Sequence, residues 1–484
     1  MRNSIGFISD GEVKTLSDFD PTMTVLQYLR LVEKRCGTKE GCAEGDCGAC
    51  TVVLGEMDGN RVRYQAVNSC IQFLPTLDGK HLITVEDLES DDGSLHAAQS
   101  AMVRLDGSQC GFCTPGFVMS LFALYLNDPQ PGTSEINEAL AGNLCRCTGY
   151  GPIIESARQM YSEPSNGNTG RVDAVLVEQL TELQSDISVE TAFGTRRYFA
   201  PSYSDELGNV LLAHPSATIL AGGTDVGLWV TKQQREIETV VYIGGIRDLR
   251  EIHHNDAGLV IGAGVTYSDA LDALETLHRD IGAMMRRLGS RQIRNLGTVG
   301  GNIANGSPIG DMPPALIALG AMITIRRGAE RRELPLECFF IEYGVQDLQP
   351  GEFVEKIRVP KCAPDAHYAV YKISKRFDQD ISALCAAFNV VIRDGLVSAA
   401  RICFGGMAGT PKRATACERA LVGNAWSEPV VRKAMRALND DYMPLTDMRA
   451  SAEYRSKVAQ SLLLKFFIET TEPDASLRIL ADTV

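Results

Sequence analysis

Positive charge is in deficit in this chain: 47 Lys and Arg stand against 61 Asp and Glu among 484 residues, a formal charge of −14. Phosphate backbones are bound by clustered cations, so this balance argues against a broad nucleic-acid surface. Long hydrophobic runs are missing too. The opening Met1-Arg2-Asn3-Ser4-Ile5-Gly6-Phe7 lacks the apolar block of a signal peptide. The longest uncharged stretch, Gly107 to Asn127, carries two Cys, a Pro and several Gly, and only its second half is apolar. It is too short and too polar to span a bilayer. The expectation is a soluble, cytoplasmic protein.

Hydrolytic and Rossmann chemistry are equally absent. The seven His, the pair His253-His254 included, lack metal-ligand spacing, and no Ser–His–Asp or Cys–His arrangement can be assembled. Gly262-Ala263-Gly264-Val265-Thr266-Tyr267 begins like G-x-G-x-x-G but has Tyr where the last Gly belongs. It reads as strand, turn and helix, the helix over Asp269 to Leu277. With 44% hydrophobic and 22% charged residues the chain is globular. At roughly 100–200 residues per domain it should hold two to four domains.

What is present is cysteine in an uneven distribution. Nine of the 14 Cys lie before residue 150, and the other five (Cys338, Cys362, Cys385, Cys403, Cys417) are scattered singly and read as small buried hydrophobes. In a reducing compartment clustered Cys bind metal or do redox chemistry more often than they pair as disulfides. Cys42, Cys47 and Cys50, with Cys70 downstream, have the C-x4-C-x2-C…C spacing of a plant-type [2Fe–2S] centre. Gly41, Gly45 and Gly48 permit the tight loop this needs and let amide groups approach the sulfurs. Cys36 is a bystander. A zinc site is the competing reading, disfavoured because zinc prefers two short paired spacings.

The surroundings read as a ferredoxin-like fold. Ile5 to Ile8 and Val13 to Leu16 bracket Asp10-Gly11 as a hairpin, and Thr51 to Leu54 and Val62 to Ala66 flank Asp58-Gly59 as another. Thr24 to Gln27 is a capping box opening a helix with Leu26, Leu29 and Val32 on its apolar face. The second group comprises Cys110 and Cys113 in QCGFCTPG, then Cys145 and Cys147 in NLCRCTGY. Each pair precedes a helix start: Thr114 caps with Pro115 in the first position, Thr148 to Pro152 introduce Ile153 to Arg158, and Ser134 caps Glu135 to Leu140. On spacing alone zinc stays open here.

These motifs together resemble the iron–sulfur region of the molybdenum hydroxylases, the xanthine dehydrogenase and aldehyde oxidase family. The resemblance implies that Cys42, Cys47, Cys50 and Cys70 hold one [2Fe–2S] cluster. Cys110, Cys113, Cys145 and Cys147 would hold another, within a four-helix bundle. Gln109 would reach toward a molybdopterin on a partner subunit, its alternative being a solvated loop residue. Further on, LAGGTDVG and TVGGNIANGSPIGD resemble the FAD-binding domain of these hydroxylases, related to the vanillyl-alcohol-oxidase class. FAD contacts are thereby implied at Leu220, Ala221, Gly222, Gly223, Thr224, Asp225 and Val226, and at Thr298, Val299, Gly300, Gly301 and Asn302. Leu288, Asp311, Val354 and Lys372 match further contacts, Leu288 departing from the aromatic of some relatives. Read without the resemblance, Asp311 caps the next helix, Lys372 is a solvated strand charge, the Gly-rich turns merely turn, and Arg286, Arg287, Arg291 and Arg294 form a solvated face.

The expected fold is α+β and multidomain. A ferredoxin-like β-grasp domain spans 1–90, a helical cluster domain 91–162, a linker 163–195, a vanillyl-alcohol-oxidase-type FAD domain 196–364, and a small C-terminal α+β domain 365–484. Within the last, alternation at Ala383 to Val391 and Val397 to Phe404 predicts strands, with helices over Val430 to Leu438 and Arg455 to Glu469. No molybdopterin-binding portion follows residue 484. The resemblance therefore implies an electron-transfer subunit, two small with two large subunits forming a heterotetramer. The large subunit would oxidise hypoxanthine or xanthine to urate, and electrons would pass through both clusters to FAD and then to NAD⁺. The rivals are the equivalent subunit for an aldehyde or another N-heterocycle, and a zinc-binding interaction scaffold.

Overall fold

Asp10 and Gly11, both at positive φ, turn the chain between Ile5–Ser9 and Glu12–Leu16 in the computed structural model, as the hairpin pattern predicts. The second hairpin pairs Thr51–Asp58 with Arg61–Asn68 around Gly59. His81–Ile83 joins the two, parallel to the first strand and antiparallel to the third, which closes a five-stranded sheet. Thr24 forms the full capping box with Gln27. The helix continues through a wider turn over Tyr28–Val32, and this rotates its face: Leu26, Tyr28 and Leu29 are buried, whereas Val32 is exposed, contrary to the expected stripe.

The structure describes residues 1–477 apart from Asp91, 163–173, Pro473 and Ser476. Two compact units emerge: Met1–Arg247 with Gly289–Gly297, and Asp248–Leu288 with Thr298–Val484. In the first unit four helices, Ala97–Arg104, Thr114–Asn127, Thr133–Leu140 and Gly151–Gln159, pack around Phe117, Leu121, Phe122, Ile136 and Ile153. Their starts differ from expectation. Thr114 is already helical behind Cys113, the third helix begins at Thr133 behind Gly132 with no side-chain cap, and the fourth follows Tyr150 in the left-handed region. In each case Pro or a turn backbone does the work assigned to a hydroxyl.

The expected linker Ser162 to Gly170 falls almost wholly outside the described residues. Beyond it the connector expectation is corrected: Ala174–Leu183 is a helix with Leu180 buried, and Val189–Phe193 is a strand. That strand opens a four-stranded sheet with Arg196–Ala200, Thr239–Tyr242 and Thr218–Leu220. In the second unit a five-stranded antiparallel sheet runs Ile252–Asn255, Gly258–Gly262, Phe353–Pro360, Met322–Arg327, Glu330–Pro335. The piece at Gly262 to Tyr267 is indeed strand, turn and helix, with Thr266 capping Tyr267–Leu277. The C-terminal sheet of Ala366–Ile373, Leu384–Arg393, Leu396–Gly405 and Lys412–Arg413 carries the helices Thr415–Leu421, Glu428–Asp441 and Ala452–Thr471. Cys385, Cys403 and Cys417 are buried as expected, but Cys338 is exposed. Among the described residues no helix is long and apolar enough to cross a membrane.

Candidate functional site

Cys42, Cys47 and Cys50 of the first group lie on the loop between the helix of residues 25–32 and the strand Thr51–Asp58, and Cys70 follows the strand Arg61–Asn68. Gly45 and Gly48 take positive φ there and Gly41 does not, Ala43 adopting it instead. Cys42 Sγ contacts both Cys47 and Cys70, and Cys70 contacts Cys50. The amides of Asp46 and Cys47 point at Cys42 Sγ, at 3.4 and 3.3 Å. First Cys47 and then Cys70 hold the Cys42 thiol far below its ordinary range, which favours a thiolate. Cys50 and Cys70 are buried, and Cys36 is exposed.

The second group sits at the open end of the helical bundle. Cys113 meets Cys145 and Cys147 meets Cys110. Burial, and then Cys145, push the Cys113 thiol up to about 12. Thr148 donates to Cys145 Sγ at 3.2 Å. Gln109, Cys110 and Cys147 are exposed, as are the apolar Phe112, Leu144 and Tyr150 around them.

Cluster sulfurs are tuned by amide or hydroxyl donors, and each group provides such donors, on Cys42 and on Cys145. In the first group the contacts run from Cys47 through Cys42 and Cys70 to Cys50, a four-thiol set of the kind a [2Fe–2S] centre takes.

The two groups are neighbours in the first unit. Leu144, next to Cys145, donates its amide to the Cys47 carbonyl at 3.0 Å. A Cβ on Gly116 would lie 2.1 Å from the Gly48 carbonyl oxygen, so only glycine permits this approach. The glycine turn of residues 220–227 also touches the segment that carries the first group. A Cβ on Gly227 would stand 2.4 Å from the carbonyl of Ile71, the residue after Cys70. Thr231 and Lys232, ending the helix that follows, bond the carbonyls of Ala43 and Cys42 at 2.8 and 2.9 Å. Leu220 is buried, and Asp225 accepts from the Trp229 indole at 3.1 Å.

In the second unit Thr298 caps Val299–Asn305 through the Gly301 amide. Gly300 packs on Ala263, and Asn302 Oδ1 is a buried acceptor with no partner among the described residues. Asp311 and Lys372 overturn their simpler readings. Asp311 makes no capping bond, and Lys372 is buried, not solvated. Lys372 Nζ lies 2.6 Å from Asp311 Oδ2 and 2.9 Å from Ser382 Oγ, which itself donates to Asp311 Oδ1 at 2.5 Å. Sequence reasoning missed Ser382. Leu288 and Val354 both pack on the unit's core. The arginine run is not a solvated face either: Arg286 pairs with Glu275, Arg287 covers the Phe377 ring, and Arg294 is buried against Glu138. The unpartnered Asn302 oxygen beside a polar buried triad fits a large polar ligand such as FAD.

Three protein families match the chain. A [2Fe-2S] binding domain covers residues 84–158, the FAD binding domain in molybdopterin dehydrogenase residues 191–362, and the CO dehydrogenase flavoprotein C-terminal domain residues 369–470. A xanthine dehydrogenase of Emericella nidulans is 32% identical over 96% of this chain and 38% of its own length. One from Oryza sativa subsp. japonica is 30% identical over 96% and 39%. The chain thus spans well under half the length of these relatives. Among solved structures, carbon monoxide dehydrogenase from Hydrogenophaga pseudoflava aligns at TM-score 0.53 and 29% identity, covering 55% of this chain and 94% of that one. The enzyme from Oligotropha carboxidovorans aligns at 0.53 and 28%, covering 56% and 96%. With both cofactor-binding domains matched and the flavoprotein C-terminal domain following them, the chain belongs to the molybdenum hydroxylase family, as a carrier of its [2Fe–2S] and FAD cofactors.

Proposed function

We propose that this chain is the electron-transfer component of a xanthine dehydrogenase, working with a partner that holds molybdopterin and oxidises hypoxanthine or xanthine to urate. The observation that carries the reading is a succession of contacts in the first unit: the second cysteine group, with Cys110 and Cys147 exposed, meets the first, with Cys50 and Cys70 buried, and the first meets the glycine turn. When bound, the clusters supply one-electron carriers and FAD a two-electron acceptor able to pass hydride to NAD⁺. The ligands are the eight cysteines Cys42, Cys47, Cys50, Cys70, Cys110, Cys113, Cys145 and Cys147. FAD is assigned to residues 220–226 in the first unit and, in the second, to 298–302, Leu288, Asp311, Val354 and Lys372. The exposed rim of Gln109, Phe112, Leu144 and Tyr150 supports a partner docking over the second group. The proposed domain division is 1–90, 91–162, 163–195, 196–364 and 365–484, and the assembly two chains of each kind in the cytoplasm.

The purified chain should show flavin and iron–sulfur absorption that bleaches with dithionite. With its partner it should reduce NAD⁺ in the presence of xanthine. A colourless, zinc-loaded protein would reject the reading. An intact complex that ignored xanthine but oxidised aldehydes or other N-heterocycles would reject the substrate and keep the relay. The match to carbon monoxide dehydrogenase flavoproteins supports the relay and favours neither of these substrate classes.

A further inference from the structure

Gln292 has no partner within its own segment. It sits in the short helix Arg291–Arg294, on the segment Gly289–Gly297 that belongs to the first unit although the chain on either side belongs to the second. The side chain is wholly buried. Its Nε2 lies 3.1 Å from Asn143 Oδ1, 3.2 Å from Ser120 Oγ and 3.4 Å from Thr51 Oγ1. These partners come from three places: the loop before Cys145, the helix after Cys113, and the strand after Cys50. Asn143, itself buried, donates to the Gly48 carbonyl at 3.0 Å and accepts from Ser120 at 2.6 Å. Thr51 donates to the same carbonyl at 2.7 Å. Gly142 makes room, for a Cβ there would lie 2.0 Å from Gln292 Oε1.

An apolar side chain of similar size would fill this space without desolvating an amide. The polar one instead ties the backbone of both cysteine loops to one point through directional bonds. We infer that Gln292, through Asn143, is a positioning residue that holds the two cluster-bearing loops at one separation and so sets electron exchange between them. The inference rests on the electron-transfer reading above. The exchange moves one electron from one centre to the other, with no bond made or broken. The Leu144 amide and Cys47 carbonyl form a covalent and hydrogen-bonded path from Cys145 to the first loop, and Asn143 is the residue before that amide.

The test uses the full chain purified with its clusters and flavin. Iron content is measured first, and then low-temperature electron paramagnetic resonance of the dithionite-reduced protein. In the parent protein two cluster signals should split each other magnetically. Gln292→Leu should keep both signals and lose that splitting. Asn295→Ala removes a buried bond from the same segment to Ala66, away from the cysteine loops, and should keep the splitting. Unchanged splitting in Gln292→Leu, or equal loss in Asn295→Ala, overturns the inference. Should Gln292→Leu fail to load both clusters, Ser120→Ala decides, reduced splitting supporting the inference and parental splitting overturning it. A parent protein without iron would instead defeat the electron-transfer reading, before any variant is compared.

Discussion

A lysine on a strand is ordinarily a solvated charge, and Tyr371-Lys372-Ile373-Ser374 carries no local mark that this one is buried. Its cation is matched by Asp311 and Ser382, brought from a helix start and a neighbouring strand entry. Lys372→Met removes the cation bonded to the buried Asp311 carboxylate, which should cost about 3–5 kcal/mol in urea unfolding. The same variant should lose flavin absorbance, and adding Asp311→Asn should recover part of the stability. Gly116 is a second residue of this kind. Gly116→Ala drives a methyl into the Gly48 carbonyl, and a colorimetric iron assay should read fewer irons per chain than in the parent. His96 supplies a pH dependence. It is fully buried, and burial lowers its pKa from 6.5 to about 4. The unfolded chain therefore takes up the proton first. The associated stability is complete above about pH 6.5 and falls as pH drops toward 4, by up to about 3 kcal/mol. His96→Asn keeps an acceptor for the Ala98 amide and should flatten the difference between urea unfolding at pH 5 and pH 7.

Elements follow from periodicity and turn chemistry wherever the deciding contacts are local. The Asp10-Gly11 hairpin, the Thr24 capping box and the C-terminal strand pair are all legible because their signals lie within a few residues of one another. Helix starts beside the cysteines were misjudged, since cluster loops constrain their backbone more than a hydroxyl cap does. The face of the helix after Thr24 was misjudged because its wider turn breaks the 3.6-residue repeat. The helix Val226–Thr231 shows what an element can add beyond its own pattern. Thr231 and Lys232 at its end grip the loop that carries Cys42, with one hydrogen bond each worth about 1 kcal/mol. Thr231→Val with Lys232→Met should cost at most about 2 kcal/mol in urea unfolding and speed iron release to a chelator, followed by loss of visible absorbance.

At the scale of the whole molecule, a chain of two compact units with separate cores should not unfold in one step. Calorimetry should show more than one transition, with iron bleaching and flavin release at different temperatures. A single transition with coincident release would mean the units melt together. The [2Fe–2S] and FAD cofactors could be read from the chain, because cluster and flavin chemistry demands rare residues at short, fixed spacings, here the two cysteine groups and the two glycine signatures. Gln292 could not: its partners lie 149 to 241 residues away and its neighbours Arg291, Ile293 and Arg294 describe only a short polar helix. The same is true of the Lys372–Asp311–Ser382 triad. Sequence spacing determined which atoms can bind the cofactors. Tertiary structure alone decided how far apart the cysteine loops are held and which charges are buried, because those depend on directional bonds between segments that meet only after folding.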